Sequence, residues 1–84
     1  MIAAPHTSAA TCSLCKALGA AVRARRAELD WSQEELGFEA DLDRTYISGI
    51  ERGVRNPTLK VIGRLAKALG TKASKLLVAA EETR

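Results

Sequence analysis

Apolar residues recur every three or four positions along most of this chain, and no stretch alternates apolar and polar residues as a strand does. This spacing places apolar side chains along one face of a helix. In the first such segment the face consists of Leu14, Leu18, Val22 and Leu29. The pattern predicts an all-α protein with five helices, over residues 12–29, 33–40, 44–52, 59–69 and 72–82.

Residues that favour helix ends separate these segments. Ser32 and Glu35 have the S-x-x-E spacing of a capping box before the second helix. Asp43 and Thr58 are suitable caps for the third and fourth helices. Asp41 lies where a left-handed residue would end the second helix, a conformation that Asp tolerates less well than Gly. In the fourth helix, we expect one buried face formed by Leu59, Ile62, Leu65, Ala66 and Leu69.

The third predicted helix is short and has two unlike faces. Its apolar stripe contains only Ile47 and Ile50, with Glu51 beside them. The rest of the helix carries hydrogen-bonding side chains and one glycine: Arg44, Thr45, Tyr46, Ser48, Gly49 and Arg52. A DNA major groove admits one helix, and arginine can form a bidentate bond with guanine. A solvated surface helix is the alternative interpretation.

Two features of this helix favour an approach to nucleic acid. Gly49 costs about 1 kcal/mol relative to alanine in mid-helix, and on a groove-facing side it would permit close approach. The alternative is simple tolerance of glycine on an exposed face. The N-terminal end is also expected to present free N–H groups that suit phosphate. Together with the preceding short helix and a three-residue turn, the segment is typical of a helix-turn-helix.

Charge and composition limit the class of protein. The chain has 84 residues, enough for one domain, which we assign to residues 12–84 with a disordered tail over 1–11. Its net charge of +3 is unevenly distributed, because from Arg44 to Lys75 only Glu51 is acidic. Such a basic region suits a polyanion, although a mixed soluble surface is the alternative. No apolar run is long enough for a bilayer and no secretory signal is recognisable, so we predict a cytoplasmic protein without membrane contact.

Cys12 and Cys15 form a C-x-x-C sequence at the start of the first predicted helix. In the cytoplasm we expect both thiols to be reduced and to be ordinary helix-face residues, with Thr11 or Ser13 as the helix cap. A metal or redox role is the weaker alternative, because a structural zinc site needs four ligands. We find no catalytic constellation and no glycine-rich phosphate loop, and therefore predict neither an enzyme nor a cofactor.

The sequence "SQEEL", followed by "LDRTYISGIERGVRNPTLKVIGRLAKALG", resembles the Xre/Cro/CI-type helix-turn-helix regulators of bacteria and phages. "LDRTYISGIER" in particular is similar to the controller proteins of restriction–modification systems. The resemblance covers about residues 18–77. It implies a five-helix, lambda-repressor-like DNA-binding domain with the helix-turn-helix at helices 2 and 3. Such proteins are mostly homodimers on palindromic operators, and controllers regulate their own operon.

The resemblance also implies roles for individual residues. Arg26 and Glu51 match a structural ion pair, and a buried charge needs such a partner. Asp30 and Asp41 depart from the family, which usually has glycine at both positions. The implied DNA-contacting residues are Gln33 on phosphate, Arg44, Thr45 and Tyr46 at the bases or anchored beside them, Ser48, Gly49 and Arg52 on the groove face, and Arg55 with Asn56 in the following loop.

The last predicted helix offers more apolar surface than a thin helix can bury. We assign Leu76 to the core of one subunit, and Leu77 and Val78 to a homodimer interface. The sequence thus favours a dimeric, autoregulatory DNA-binding protein. Repression by occlusion and activation through RNA polymerase both remain open. The alternatives are an antitoxin that represses its own operon, a phage-type repressor, and a purely structural helical adaptor.

Overall fold

The computed structural model describes residues 12–83, which form five α-helices and no strand, as the periodicity predicts. The helices are α1 (Ser13–Glu28), α2 (Gln33–Ala40), α3 (Arg44–Glu51), α4 (Leu59–Ala68) and α5 (Ala73–Thr83). The tail predicted over residues 1–11 lies outside the described part of the chain. None of these five helices combines the length and the apolar character that crossing a membrane requires.

The helices surround one aliphatic core. α1 packs against α3 and α5, α2 packs against α3 and α4, and α4 packs against α5. Leu76 of α5 is buried in this core, as predicted. The largest fully buried side chains come from the first four helices and from the residue that follows α4: Val22, Leu36, Ile47, Ile50, Leu65 and Leu69.

The predicted caps of α2 and α4 are present. The Ser32 hydroxyl accepts a hydrogen bond from the Glu35 N–H at 3.0 Å, and the Ser32 N–H donates to the Glu35 carboxylate at 2.7 Å. This reciprocal pair is a complete capping box. The Thr58 hydroxyl accepts from the Val61 N–H at 3.2 Å. These local bonds fix where both helices begin.

Two aspartates occupy the turn positions where the family usually has glycine. Asp41 ends α2 with φ 58°, and Asp30 has φ 60° in the α1–α2 connection. Both are in the left-handed region, which Asp and Asn enter more readily than most residues do. The substitutions therefore leave the turns in the conformation that glycine would favour.

The start of α1 differs from the prediction. Neither Thr11, which precedes the described residues, nor Ser13 is the cap; Cys12 is, and its sulfur accepts from the Cys15 N–H at 3.1 Å. Cys12 and Cys15 are joined by a disulfide, with their Cα atoms 5.1 Å apart. The expectation of two reduced thiols is therefore wrong for this structure. One turn of helix brings the two Cα atoms into the range that a disulfide spans.

Leu59 does not join the buried face of α4. It is 71% exposed, whereas Ile62 and Leu65 are buried. Leu59 is the first residue of the helix, and the residues of α4 that pack on the core begin at Val61. Helical spacing alone therefore overestimated how far the apolar face of α4 is covered.

α1 and the end of α3 approach each other backbone to backbone. A Cβ atom added at Gly19 would lie 2.7 Å from the Glu51 carbonyl oxygen and would also contact that of Ile50. No side chain fits between the helices at this point. Gly63 on α4 is the opposite case, because a Cβ there would have no atom within 4 Å.

We expect Gly19→Ala to lower the free energy of unfolding by about 2 kcal/mol, because the added methyl group meets rigid backbone. Gly63→Ala is the matched control and should raise it by about 0.5–1 kcal/mol, since alanine is the better helix former. Urea unfolding monitored by circular dichroism measures both. Equal effects of the two substitutions would contradict the close approach of α1 to α3.

Candidate nucleic-acid interface

α2 and α3 are two short helices joined by residues 41–43, which is the arrangement of a helix-turn-helix. The Leu42 N–H donates to the Gly37 carbonyl at 2.8 Å and closes the turn. The interior of this unit is filled by the buried side chains of Leu36, Ala40, Ile47 and Ile50. Leu42, in the turn, is half-buried.

A bidentate ion pair anchors α3 to α1. Arg26 Nε and Nη2 donate to the two Glu51 carboxylate oxygens at 2.7 and 2.9 Å. The Glu51 side chain is only 3% exposed and that of Arg26 15%. The hydrogen bond with Glu51 raises the pKa of Arg26 above its ordinary value. The structure thus brings together the two residues that the resemblance pairs.

The same two side chains also hold the start of α2. Arg26 Nη1 donates to the Trp31 carbonyl at 2.6 Å, and the Gln33 side-chain amide donates to Glu51 at 3.0 Å. The side chain of Gln33 is therefore engaged with Glu51. Its main-chain N–H, like that of Glu34, has no acceptor among residues 12–83. A phosphate contact by Gln33 remains a prediction, for which both the main-chain N–H and the side-chain amide are candidate donors.

The N-terminal end of α3 is occupied by the protein itself. The Asp43 carboxylate accepts from both the N–H and the hydroxyl of Thr45, and the Asp43 carbonyl accepts from the N–H groups of Tyr46 and Ile47. The hydrogen bond from the Thr45 hydroxyl and, to a smaller extent, that from the Thr45 N–H lower the pKa of Asp43. The expectation of free N–H groups for phosphate at this end is therefore wrong for Thr45, Tyr46 and Ile47. Among the first N–H groups of α3, only that of Arg44 has no acceptor within residues 12–83.

Gly49 has a different role from the predicted one. It is buried, because the Arg55 side chain crosses it; a Cβ atom at Gly49 would lie 2.7 Å from Arg55 Cγ. The Arg55 guanidinium carbon lies 5.5 Å from the centroid of the Tyr46 ring, within the range of a cation–π contact. The missing side chain therefore makes room for Arg55, and a contact of Gly49 with DNA stays a prediction.

The remaining predicted residues lie around this contact. Arg52 Nε donates to the Ser48 hydroxyl at 3.3 Å, one turn apart on the helix. Arg44, Thr45, Arg52, Arg55 and Asn56 are exposed, whereas Tyr46 and Ser48 are half-buried. α3 and the loop after it thus form one surface with three exposed arginines.

Sequence reasoning missed an exposed aromatic residue on α2. Phe38 is 83% exposed and lines a shallow groove with Trp31, Glu34, Glu35 and Glu39. A signal was available, because Phe38 lies about 200° around the helix from the buried Leu36. The contact of Arg55 with Gly49 and Tyr46 had no such signal, since it depends on the path of the loop.

These features define a five-helix domain with a helix-turn-helix at its second and third helices. The helix-turn-helix family model matches residues 22–76, more than half of the chain. The chain belongs to this family. It is similar to the control protein C.BamHI of Bacillus amyloliquefaciens, with 53% identity over 53 residues. The aligned segment spans 63% of this chain and 65% of C.BamHI, a little under two thirds of that relative.

Solved structures of controller proteins have the same fold. The restriction–modification controller protein C.AhdI from Aeromonas hydrophila is 40% identical, with a TM-score of 0.72 over 74% of this chain and 94% of that one. The controller protein C.Esp1396I, solved as a tetramer in complex with its natural 35-base-pair operator, is 32% identical with a TM-score of 0.78. That match covers 86% of this chain and 95% of C.Esp1396I. The predicted fold class and the predicted resemblance to controllers are confirmed.

We expect Glu51→Ala to lower the free energy of unfolding by about 3–5 kcal/mol, because Arg26 would remain largely buried without a partner. The control is Glu28→Ala, which breaks the exposed Arg25–Glu28 pair and should cost about 0.5 kcal/mol or less. Denaturant unfolding curves compare the two variants. A Glu51 variant as stable as the Glu28 variant would show that the buried pair is dispensable.

Proposed function

We propose that this protein is a sequence-specific DNA-binding transcription regulator in the cytoplasm, which binds a palindromic operator as a homodimer and regulates its own operon. One observation carries the proposal: the outer surface of α3 and the following loop present Arg44, Arg52 and Arg55 to solvent on a helix-turn-helix. The likeness to C.Esp1396I, which was solved with its operator, supports it.

In this proposal α3 enters the major groove. Arg44 stands at its exposed N-terminal end and reads a base, for which guanine is the usual arginine partner. Thr45 keeps its hydroxyl on Asp43 and presents its methyl group, which suits a thymine methyl. Ser48 and Arg52 line the same face, held by their mutual hydrogen bond.

Contacts to the DNA backbone flank this reading face. Arg55 and Asn56 follow α3, and stacking on Tyr46 limits the orientations of the Arg55 guanidinium before DNA arrives. At the start of α2, the main-chain N–H groups of Gln33 and Glu34 have no acceptor among residues 12–83 and suit a phosphate oxygen. Phosphate contacts of this kind fix the register of the helix without reading sequence.

The outer face of α5 is the proposed dimer contact. Val78 is 51% exposed and lies in a shallow groove with Ser74, Lys75, Ala79 and Glu82, all on α5. Two antiparallel copies related by a two-fold axis near Val78 would place Lys75 of each opposite Glu82 of the other, as a self-complementary interface requires. Leu77 is half-buried against the subunit core and contributes less than Val78.

Two modes of regulation follow from where the operator lies. An operator that overlaps a promoter gives repression by occlusion, whereas one placed beside it allows activation by contact with RNA polymerase. Phe38 and the acidic side chains Glu34, Glu35 and Glu39 form the surface available for the second mode. Their composition suits a basic, partly apolar partner.

We expect Arg44→Ala to weaken binding to the DNA upstream of the protein's own gene by about 1–3 kcal/mol, with little effect on random duplex, because a base contact is lost.

Arg55→Ala should weaken binding to both DNAs and reduce the slope of log K against log salt by about one, because a phosphate contact is lost. Fluorescence anisotropy titrations at several salt concentrations measure both quantities.

Lys67→Ala is the control for lost charge. Lys67 lies on α4 beside Glu39 and Ala40 of α2 and is not one of the proposed DNA contacts, so its removal should leave the affinity nearly unchanged. Equal loss in all three variants would mean that only net charge matters. Wild-type protein with no preference for the upstream DNA would reject the proposed regulator.

We expect Val78→Glu to convert the dimer to a monomer without unfolding it, because the new carboxylates would face each other across the two-fold axis. Leu59→Glu, at an equally exposed apolar residue outside α5, is the control and should leave the dimer intact. Sedimentation equilibrium measures the mass and circular dichroism the fold. A Val78→Glu protein that remains dimeric would place the interface elsewhere.

A further inference from the structure

The disulfide at the start of α1 has no part in the proposed DNA contact. It links Cys12, the half-buried cap of the helix, to Cys15, which is 8% exposed within the first turn. We propose that Cys12 and Cys15 form a reversible thiol–disulfide site that exchanges with small disulfides and thiols, with Cys12 as the reacting sulfur.

The two cysteines differ in access and in surroundings. Cys12 precedes a helix of 16 residues, and its sulfur already accepts the Cys15 N–H. A thiolate at a helix N-terminus is stabilised by such N–H groups and by the helix dipole. Cys15 is too buried for an external thiol to reach easily. An external thiol therefore attacks the Cys12 sulfur. The Cys12 thiolate is also the better leaving group when a mixed disulfide is resolved, and the better attacking group when the site is reoxidised.

The exchange proceeds in two balanced steps. An external thiolate attacks the Cys12 sulfur, breaks the Cys12–Cys15 bond and releases the Cys15 thiolate, which takes up a proton. A second external thiolate then attacks the external sulfur of the mixed disulfide and releases the Cys12 thiolate. Two external thiols become one external disulfide, and the protein gains two electrons. Oxidation is the reverse, with Cys15 displacing the external thiol from Cys12.

The first turn of α1 contacts the loop that follows α3, so the oxidation state of the disulfide can affect the proposed DNA surface. A Cβ atom added at Gly53 would lie 2.8 Å from the Cα of Lys16, the residue after Cys15. Gly53 lies two residues after the end of α3, has φ 78° and begins the loop that carries Arg55. Opening the disulfide loosens the first turn of α1 and hence the support of this loop. This consequence, unlike the exchange itself, rests on the proposed function.

Glutathione buffers of varied ratio test the exchange, with alkylation of free thiols followed by mass spectrometry. We expect wild-type protein to pass between zero and two free thiols as the ratio changes. With oxidised glutathione, Cys15→Ala should accumulate a mixed disulfide on Cys12, and Cys12→Ser should react far more slowly at Cys15. Wild-type thiols that do not respond to the ratio, or equal reaction of the two variants, would overturn the proposal.

Melting and DNA titration test the consequence. Reduction should lower the midpoint of thermal unfolding by on the order of 5 °C and weaken binding to the upstream DNA several-fold, with no change in a Cys12→Ser, Cys15→Ala double variant. Equal affinity of the oxidised and reduced wild type would overturn the coupling. Failure of both forms to prefer the upstream DNA would reject the proposed function and leave the exchange chemistry standing.

Discussion

The fold of the helix-turn-helix depends on the buried contact of Arg26 with Glu51. Glu51 is the last residue of α3, and its carboxylate is bonded to α1 through Arg26 and to α2 through Gln33. Arg26 also donates a hydrogen bond to the Trp31 carbonyl, between α1 and α2. A carboxylate that is 3% exposed is tolerated only because each oxygen is paired. One ionic contact thus sets the position of α3 relative to the helices that support it.

The outer surface of α3 is organised by contacts within the protein. Asp43 accepts hydrogen bonds from N–H groups in the first turn of the helix, and Arg55, from the loop after the helix, crosses Gly49 to reach the Tyr46 ring. Both arrangements reduce the freedom of polar side chains before any DNA is bound. Pre-organisation of this kind lowers the entropic cost of binding, which is valuable in a small domain with few base contacts.

Local chemistry explains why much of this protein was predictable. The capping box of Ser32 and Glu35, the caps at Asp43 and Thr58, and the turn at Asp41 each depend on residues within four positions of one another. The apolar spacing likewise identified all five helices to within a few residues at each end. Leu59 was assigned wrongly because burial depends on tertiary contacts, and the residues of α4 that pack on the core begin at Val61.

Short-range hydrogen bonds and helical periodicity, both readable from the sequence, specify the five helices, the caps of α2, α3 and α4, and the polar residues that α3 carries. The tertiary structure alone decided that Gly49 lies under Arg55 and that the first turn of α1 supports Gly53. It also decided that Gln33 reaches Glu51, 18 residues away. Those contacts join residues through the packing of separate helices, and no spacing rule within one helix specifies them.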